Sequence, residues 1–299
     1  MVGAVRIEVP ERVRSSWKEW FGAQQVPALV ADTERRAAAA IEAWELDAVE
    51  PLGEGNVAIV CACRHHGDPA VLKVTPRMRH QTHRSDETDA LRVWAGLAPD
   101  VIATRDDDWT ALLERVLPGV PLKSCAAPLE AMQILGEMAA RLHRHPPGTG
   151  FVSLSDGKAV ESWRTRLDHA PRARADLEDL LATGGDPVLL HLDLHRGNVL
   201  SHHTGWRVVD PKPRAGDRHA ECFCFLAMAR DLPERGTATA LDAWVARYAA
   251  AAELDEARLR RWITVRAEAE LGWWPPGQPG WGDHMRRLLA ALQARPPRG

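Results

Sequence analysis

The stretch His191-Leu192-Asp193-Leu194-His195-Arg196-Gly197-Asn198-Val199-Leu200 is followed ten residues later by Asp210, at the end of Val208-Val209-Asp210-Pro211-Lys212. One carboxylate, Asp193, stands five residues before a carboxamide, Asn198, and a second carboxylate, Asp210, closes an apolar strand. Transfer of a phosphoryl group from a nucleotide needs such a set. One carboxylate orients the attacking hydroxyl and takes its proton, while an Asn and another Asp hold Mg2+ against the phosphates. Mg2+ prefers hard oxygen ligands, so Asn198 and Asp210 suit it and the neighbouring histidines do not. A polar loop between strands would account for the residue types but not for their matched spacing.

Upstream of this stretch, residues 1–117 read as strand-rich. Extended segments are predicted over 44–52, 57–63, 70–74, 101–104 and 109–116, with turns at Gly53-Glu54-Gly55, His66-Gly67-Asp68-Pro69 and Arg105-Asp106-Asp107-Asp108. Ala90, Leu91, Trp94 and Leu97 share one face of a predicted helix over 83–97. The expectation is a meander of about five strands interrupted by one helix. Residues 1–42 read as a helical extension packed on these strands, and Pro118-Gly119-Val120-Pro121 is a composition break. The expected organisation is therefore 1–42, 43–117 and 118–299. Past the break, helices are predicted over 128–144, twice within 158–183, and over 237–294 apart from a Gly/Pro/Trp loop at 272–282. Short strands are expected at 188–191, 199–201 and 206–209.

Composition narrows the function. The chain has 299 residues, 45% apolar and 26% charged, which is enough for one large domain or two smaller ones. A net charge of −3 offers no basic field for a nucleic-acid backbone. The longest apolar run, residues 222–229, is far short of a membrane span. Arg6, Glu8, Glu11 and Arg12 stand where a leader would be apolar, so the expectation is a cytoplasmic protein with no nucleic-acid or membrane partner. Five cysteines fit reduced thiols. Cys61-Ala62-Cys63 and Cys222-Phe223-Cys224 read as core thiols sharing one strand face, since zinc sites use wider spacings. Of 38 basic residues only five are lysine, so each lysine is worth a question, Lys73 and Lys212 above all. Twelve tryptophans read as core, with Trp273 and Trp274 the exception that could stack on a sugar or guanidinium. The P-loop, the nucleophile-elbow serine, His-Glu-x-x-His and the dinucleotide glycine motif are all absent.

The motif 191–198 resembles the catalytic loop of the aminoglycoside phosphotransferase family, kinases of small molecules. The family's usual His-Gly-Asp-x-x-x-x-Asn appears here with Leu192 in place of glycine, as in its streptomycin-kinase branch. Asp210-Pro211-Lys212-Pro213-Arg214-Ala215-Gly216-Asp217 is similar to that branch's metal-strand pattern, which has Lys or Glu where Lys212 stands, and residues 7–10, 26–30 and 43–46 resemble the branch as well. The family's pattern ends in Asp where Glu221 stands, and has proline where Arg218 stands, so the resemblance leaves the path of that loop open.

The resemblance implies an α+β, bilobal protein-kinase-like fold with an antiparallel N-lobe sheet, one helix there, and a mainly helical C-lobe. It implies ATP and Mg2+ between the lobes and transfer of the γ-phosphoryl group to a hydroxyl of a small-molecule acceptor such as streptomycin, or hydroxyurea in the same branch. Asp193 becomes the catalytic residue, and Asn198 and Asp210 the metal ligands. Lys73, on the third strand, is expected to grip the phosphates with Glu87 as its ion-pair partner. Gly53 and Gly55 lie 18 to 20 residues upstream of Lys73, as a nucleotide-covering hairpin should. The main chain around Glu114 and Val116 is expected to meet adenine. His191 orients the loop, and His195 reads either as a residue near the substrate or as a solvent-exposed loop histidine. For a cationic acceptor the candidate acidic contacts are Asp168, Asp176, Glu178, Asp179, Glu268, Glu270 and Asp283, set against many neighbouring arginines. A metabolic kinase of an amino sugar such as glucosamine, or a degenerate nucleotide-binding scaffold, are the alternatives. A protein kinase is disfavoured by the lack of a long activation loop and of an Ala-Pro-Glu-like segment.

Overall fold

The computed structural model describes residues 7–52, 57–77, 86–105, 109–273 and 280–294. The Gly53-Glu54-Gly55 turn, the start of the helix predicted from 83, Asp106 to Asp108 and Trp274 lie outside the described residues. The chain divides into two compact units, Met1–Leu117 and Pro118–Gly299.

The first unit begins with helices α1 (Glu11–Phe21) and α2 (Val26–Ala43). In α2 Pro27 occupies the first turn, where a missing N–H costs nothing, and the run Ala37 to Ala40 favours helix. Strands β1 (Asp47–Pro51), β2 (Ile59–His65) and β3 (Asp68–Val74), helix α3 (Glu87–Val93), and strands β4 (Val101–Arg105) and β5 (Thr110–Glu114) follow. His66 and Gly67 both take positive φ, 52° and 89°, giving the two-residue hairpin turn whose twist matches its strands. The strand order is β1-β2-β3-β5-β4, antiparallel throughout. A simple meander does not form: α3 carries the chain past the edge of β3, β4 takes the outer position, and β5 returns to fill the gap.

Helices and sheet share one core, in which Val13, Trp17, Leu29, Ala37 and Ala40 pack with Ile59, Cys61, Leu72 and Leu112. Trp17 is wholly buried, and its indole N–H donates to the Val57 carbonyl at 2.9 Å. Arg36 is buried too, but its guanidinium donates to Asp32 (2.9 Å), Thr110 Oγ1 (3.1 Å) and the Thr75 carbonyl (2.7 Å). A buried cation satisfied in this way fastens α2 to the sheet.

The second unit runs β6 (Pro118–Pro121), α4 (Pro128–Leu142), α5 (Lys158–Arg166), α6 (Pro171–Ala182), β7 (Val188–Leu190), β8 (Val199–His202), β9 (Gly205–Val208), β10 (Arg214–Gly216), α7 (Phe223–Met228), α8 (Thr237–Ala252), α9 (Glu256–Leu271) and α10 (Trp281–Gln293). Its strands form two small antiparallel sheets, β6-β8-β9 and β7-β10. The composition break at Pro118 to Pro121 is thus an edge strand, a place where proline is tolerated. Cys61 and Cys63 lie on strand β2 as expected, but Cys222 and Cys224 do not lie on a strand: the chain enters helix α7 there. Among the described residues, no helix is long and apolar enough to cross a membrane.

Helices α4 and α8 approach closely at Gly136, where an added Cβ would stand 2.7 Å from Ala251 Cβ and 2.8 Å from the Tyr248 carbonyl. Gly136→Ala therefore overpacks this contact, and the strain outweighs the helix propensity it gains. Urea unfolding is expected to show a net loss of about 1–2 kcal/mol; an unchanged midpoint would contradict the close approach.

Candidate active site

Strand β7 ends at Leu190, and the chain enters the loop 191–198 through two residues that lack ladder partners. The buried Glu221 carboxylate supplies them: Oε2 accepts the His191 N–H at 2.5 Å and Oε1 the Leu192 N–H at 2.9 Å. Leu192 adopts φ 58°, a left-handed conformation costing a side-chain-bearing residue about 1–2 kcal/mol. That explains the glycine usual at this position in the family. Tyr248 donates its hydroxyl to the Glu221 carbonyl at 2.6 Å, and the His143 ring lies 4.0 Å from the carboxylate. Burial raises the Glu221 carboxyl, but His143, His191 and the backbone donors outweigh it and hold the group below its ordinary value.

His191 links two loops. Its Nδ1 faces the Asp193 N–H at 3.3 Å, and its Nε2 faces the Val209 carbonyl at 3.1 Å. This pairing requires a neutral ring protonated on Nε2, in keeping with the lowering of its pKa by burial. Asn198 donates Nδ2 to the Asp193 carbonyl at 2.9 Å, so its Oδ1 remains for a ligand. The Val209 N–H reaches the Asn198 carbonyl at 3.0 Å and the Lys212 N–H the His191 carbonyl at 2.8 Å. Asp193, Asn198 and Asp210 are thereby held on two cross-bonded loops of one unit. Asp210, like Leu192, takes a left-handed φ of 58°.

Burial raises the Asp193 carboxyl, Lys212 and His195 counter it, and Asp210 and Glu221 add to it, leaving the group above its ordinary value. Lys212 Nζ lies 3.1 Å from Asp210 Oδ1 and 3.7 Å from Asp193 Oδ2. His195 does not point freely into solvent. Its Nε2 is 3.8 Å from Asp193 Oδ1, its Nδ1 accepts the Gly197 N–H at 2.9 Å, and its ring packs against Phe223. Gly197 makes this possible, because a Cβ there would stand 2.7 Å from the His195 ring. Burial lowers the His195 pKa. Beyond Phe223, the buried Arg266 guanidinium lies over the faces of Phe223 and Trp163, at 5.9 and 4.2 Å.

Six of the seven acidic residues considered for a cationic acceptor are engaged within the unit. Asp176 and Asp179 bind Arg261, Glu178 binds Arg164 and Asp168 binds Arg174. Glu268 meets His169 at 3.3 Å, and Asp283 caps α10 and pairs with Arg286. Trp273 is exposed and stacks on the chain's own Arg166 guanidinium, 4.1 Å from the ring centre. Asp217 accepts from His219, Trp262 Nε1 (2.7 Å) and Arg258 Nε (2.7 Å), which joins the β10 end to α9. Burial raises this carboxyl, but those donors carry it far below the usual range.

In the first unit, Lys73 Nζ meets Glu87 Oε1 at 2.5 Å, both side chains largely buried. The Glu114 carboxylate is turned to the Asp100 N–H at 3.2 Å and its own N–H donates to the Asp100 carbonyl at 2.8 Å, and Val116 follows just after β5. Gly53 and Gly55 fall outside the described residues. Sequence reasoning missed Glu221 as the loop's anchor, since it stood out only as a departure from pattern. Of the two readings of His195, the structure supports the one near the reacting carboxylate, in surroundings set by Gly197 and Phe223.

Glu221→Gln places an amide N–H2 against one of the two loop N–H donors. A stability loss of about 2–3 kcal/mol in urea is expected; no loss would contradict the anchoring role. Asp217 and Glu221 have depressed folded-state pKa values. Such groups contribute stability above their unfolded pKa and lose it as pH falls through the folded value. Stability is therefore expected to fall below about pH 4. Asp217→Asn should lower stability at neutral pH and flatten this acid limb, as measured by unfolding across a pH series; an equally steep limb in the variant would contradict it.

Residues 43–276 match the family model for aminoglycoside/hydroxyurea antibiotic resistance kinases. The chain is 32% identical to a streptomycin 6-kinase of Streptomyces glaucescens, over 71% of this chain and 72% of that one. It is 32% identical to a hydroxyurea phosphotransferase of Kitasatospora aureofaciens, over 72% and 66%. Among solved structures, an amicoumacin kinase in complex with AMP-PNP and Ca2+ has a TM-score of 0.65 at 14% identity, covering 90% of this chain and 94% of that one. The aminoglycoside phosphotransferase APH(4)-Ia has a TM-score of 0.57 at 16% identity, covering 86% and 97%. Those two likenesses establish the α+β, protein-kinase-like fold. With a family model spanning most of its length, the chain belongs to the aminoglycoside/hydroxyurea antibiotic resistance kinases.

Proposed function

We propose that this kinase transfers the γ-phosphoryl group of ATP to a hydroxyl of a streptomycin-like antibiotic and so inactivates it. The observation that carries the reading is the pair of cross-bonded loops presenting Asp193, Asn198 and Asp210 together. The relatives named as streptomycin 6-kinases support the acceptor class.

In this reading Asp193 orients the acceptor hydroxyl and takes its proton. A carboxyl raised by burial is a better base than an ordinary one. Asn198 Oδ1 and the half-exposed Asp210 carboxylate would hold Mg2+. Among the described residues no group of three or more His, Cys, Asp and Glu could hold a metal ion. A two-oxygen site fits Mg2+, which takes its other ligands from phosphates and water. When bound, the ion neutralises charge on the phosphates. Lys73, positioned by Glu87, binds phosphate oxygens, and the Glu114 and Val116 main chain receives adenine. The scaffold alternative is less favoured, because Lys73, Asp193, Asn198 and Asp210 are all present.

The test is ADP release from Mg-ATP with streptomycin, hydroxyurea or glucosamine, using native protein and Asp193→Asn. Streptomycin-dependent turnover is expected, falling about 10^2–10^4-fold in the variant. The variant should keep its thermal stabilisation by Mg-ATP. Turnover with glucosamine and not streptomycin would favour the metabolic kinase. No turnover and no stabilisation by nucleotide would overturn the reading.

A further inference from the structure

We infer that Lys212 is a further catalytic residue, whose ammonium contacts the phosphoryl group in transit and stabilises the negative charge there. This rests on the proposed phosphoryl transfer and adds a cation to it. The sequence offers only five lysines, and this one lies two residues beyond Asp210, between Pro211 and Pro213. Both prolines are buried while Lys212 is exposed. Their fixed φ values hold the backbone on either side, and the Lys212 N–H is bonded to the His191 carbonyl at 2.8 Å. A flexible stem on a fixed base thus brings the ammonium to both carboxylates, 3.1 Å from Asp210 and 3.7 Å from Asp193.

Stability does not explain the placement. The Lys212 side chain is 55% exposed, and ion pairs of that kind contribute little to folding. Charge in the site explains it better. Asp193 and Asp210 both face this ammonium, and the buried Glu221 carboxylate adds a third negative charge behind the loop. A nucleotide adds further negative charge to these carboxylates.

In the transfer step, the acceptor oxygen bonds to the γ-phosphorus as its proton passes to Asp193. The bond from that phosphorus to the β,γ-bridging oxygen breaks, and its electron pair leaves with ADP. Charge spreads meanwhile over the three equatorial oxygens. An ammonium beside Asp193 stands on the attacking side and can reach one of those oxygens. Its attraction is strongest in the transition state, so it should raise kcat with little effect on KM.

The test compares native protein, Lys212→Met and Lys212→Arg. The Met variant is expected to lose about 10^2-fold in kcat, with both KM values within about threefold of native. The Arg variant should recover part of the loss, because it keeps the charge on a differently shaped group. Calorimetry gives a readout independent of turnover. Native protein should bind Mg-ADP more tightly with aluminium fluoride, a mimic of the phosphoryl group in transit, than without it. Lys212→Met should lose that gain while keeping its affinity for Mg-ADP and its melting temperature. Unchanged kcat in Lys212→Met, or equal losses of Mg-ADP affinity and of kcat, would overturn the inference. If native protein neither turns over nor binds nucleotide, the proposed function fails first and this inference fails with it.

Discussion

A reacting carboxylate on a loop has to be aimed without the hydrogen-bond ladder that holds a strand or helix. In this chain the task falls to the buried Glu221 carboxylate and the two N–H groups it receives, from His191 and Leu192. Unpaired, each buried N–H would cost about 1–3 kcal/mol, and the carboxylate would be an isolated buried charge. Paired, they hold Leu192 in its left-handed turn, and that turn sets the direction of Asp193. His191 and Asn198 then extend the order to the Asp210 segment. One buried acid therefore governs a site in which it takes no chemical part.

The helical unit handles its charges in two ways. Arg164 ties α5 to α6 through Glu178, Arg261 ties α9 to α6 through Asp176 and Asp179, Arg258 ties α9 to Asp217 after β10, and Arg174 holds Asp168 in the α5–α6 connection. At the ends of the two loops, Asp193, Asp210 and Lys212 are instead partly open to solvent. Structural charge is spent on neighbours, and chemical charge is left where a ligand can use it. The same division argues against a preformed acidic face for a polycation, because six of the seven acids that sequence alone put forward are already occupied.

Short-range features were legible in the sequence. The spacing of Asp193 and Asn198 is local, so the chemistry that needs it imposes a visible pattern. Lys73 and Glu87 stand 14 residues apart on a strand and the next helix, an order that also reads directly, and the structure brings them together. Long-range consequences were not legible. Glu221 lies 30 residues from His191 and looked only like a lapse from pattern. The short Pro- and Gly-bearing strands β6 and β10 carry no periodicity. The run at 222–229 is too short for its apolar character to separate strand from helix, and it became α7. The exchange of β4 and β5 is a matter of pairing partners, which alternation along a strand does not encode.

If the carboxylate held by this loop directs a phosphoryl group onto an acceptor hydroxyl, the γ-phosphoryl group itself can be followed with isotopically labelled ATP, Mg2+ and streptomycin. The label is expected in a phosphate ester on the antibiotic. Label released only as inorganic phosphate, or retained in ATP although Mg-ATP binds and streptomycin is in excess, would contradict it.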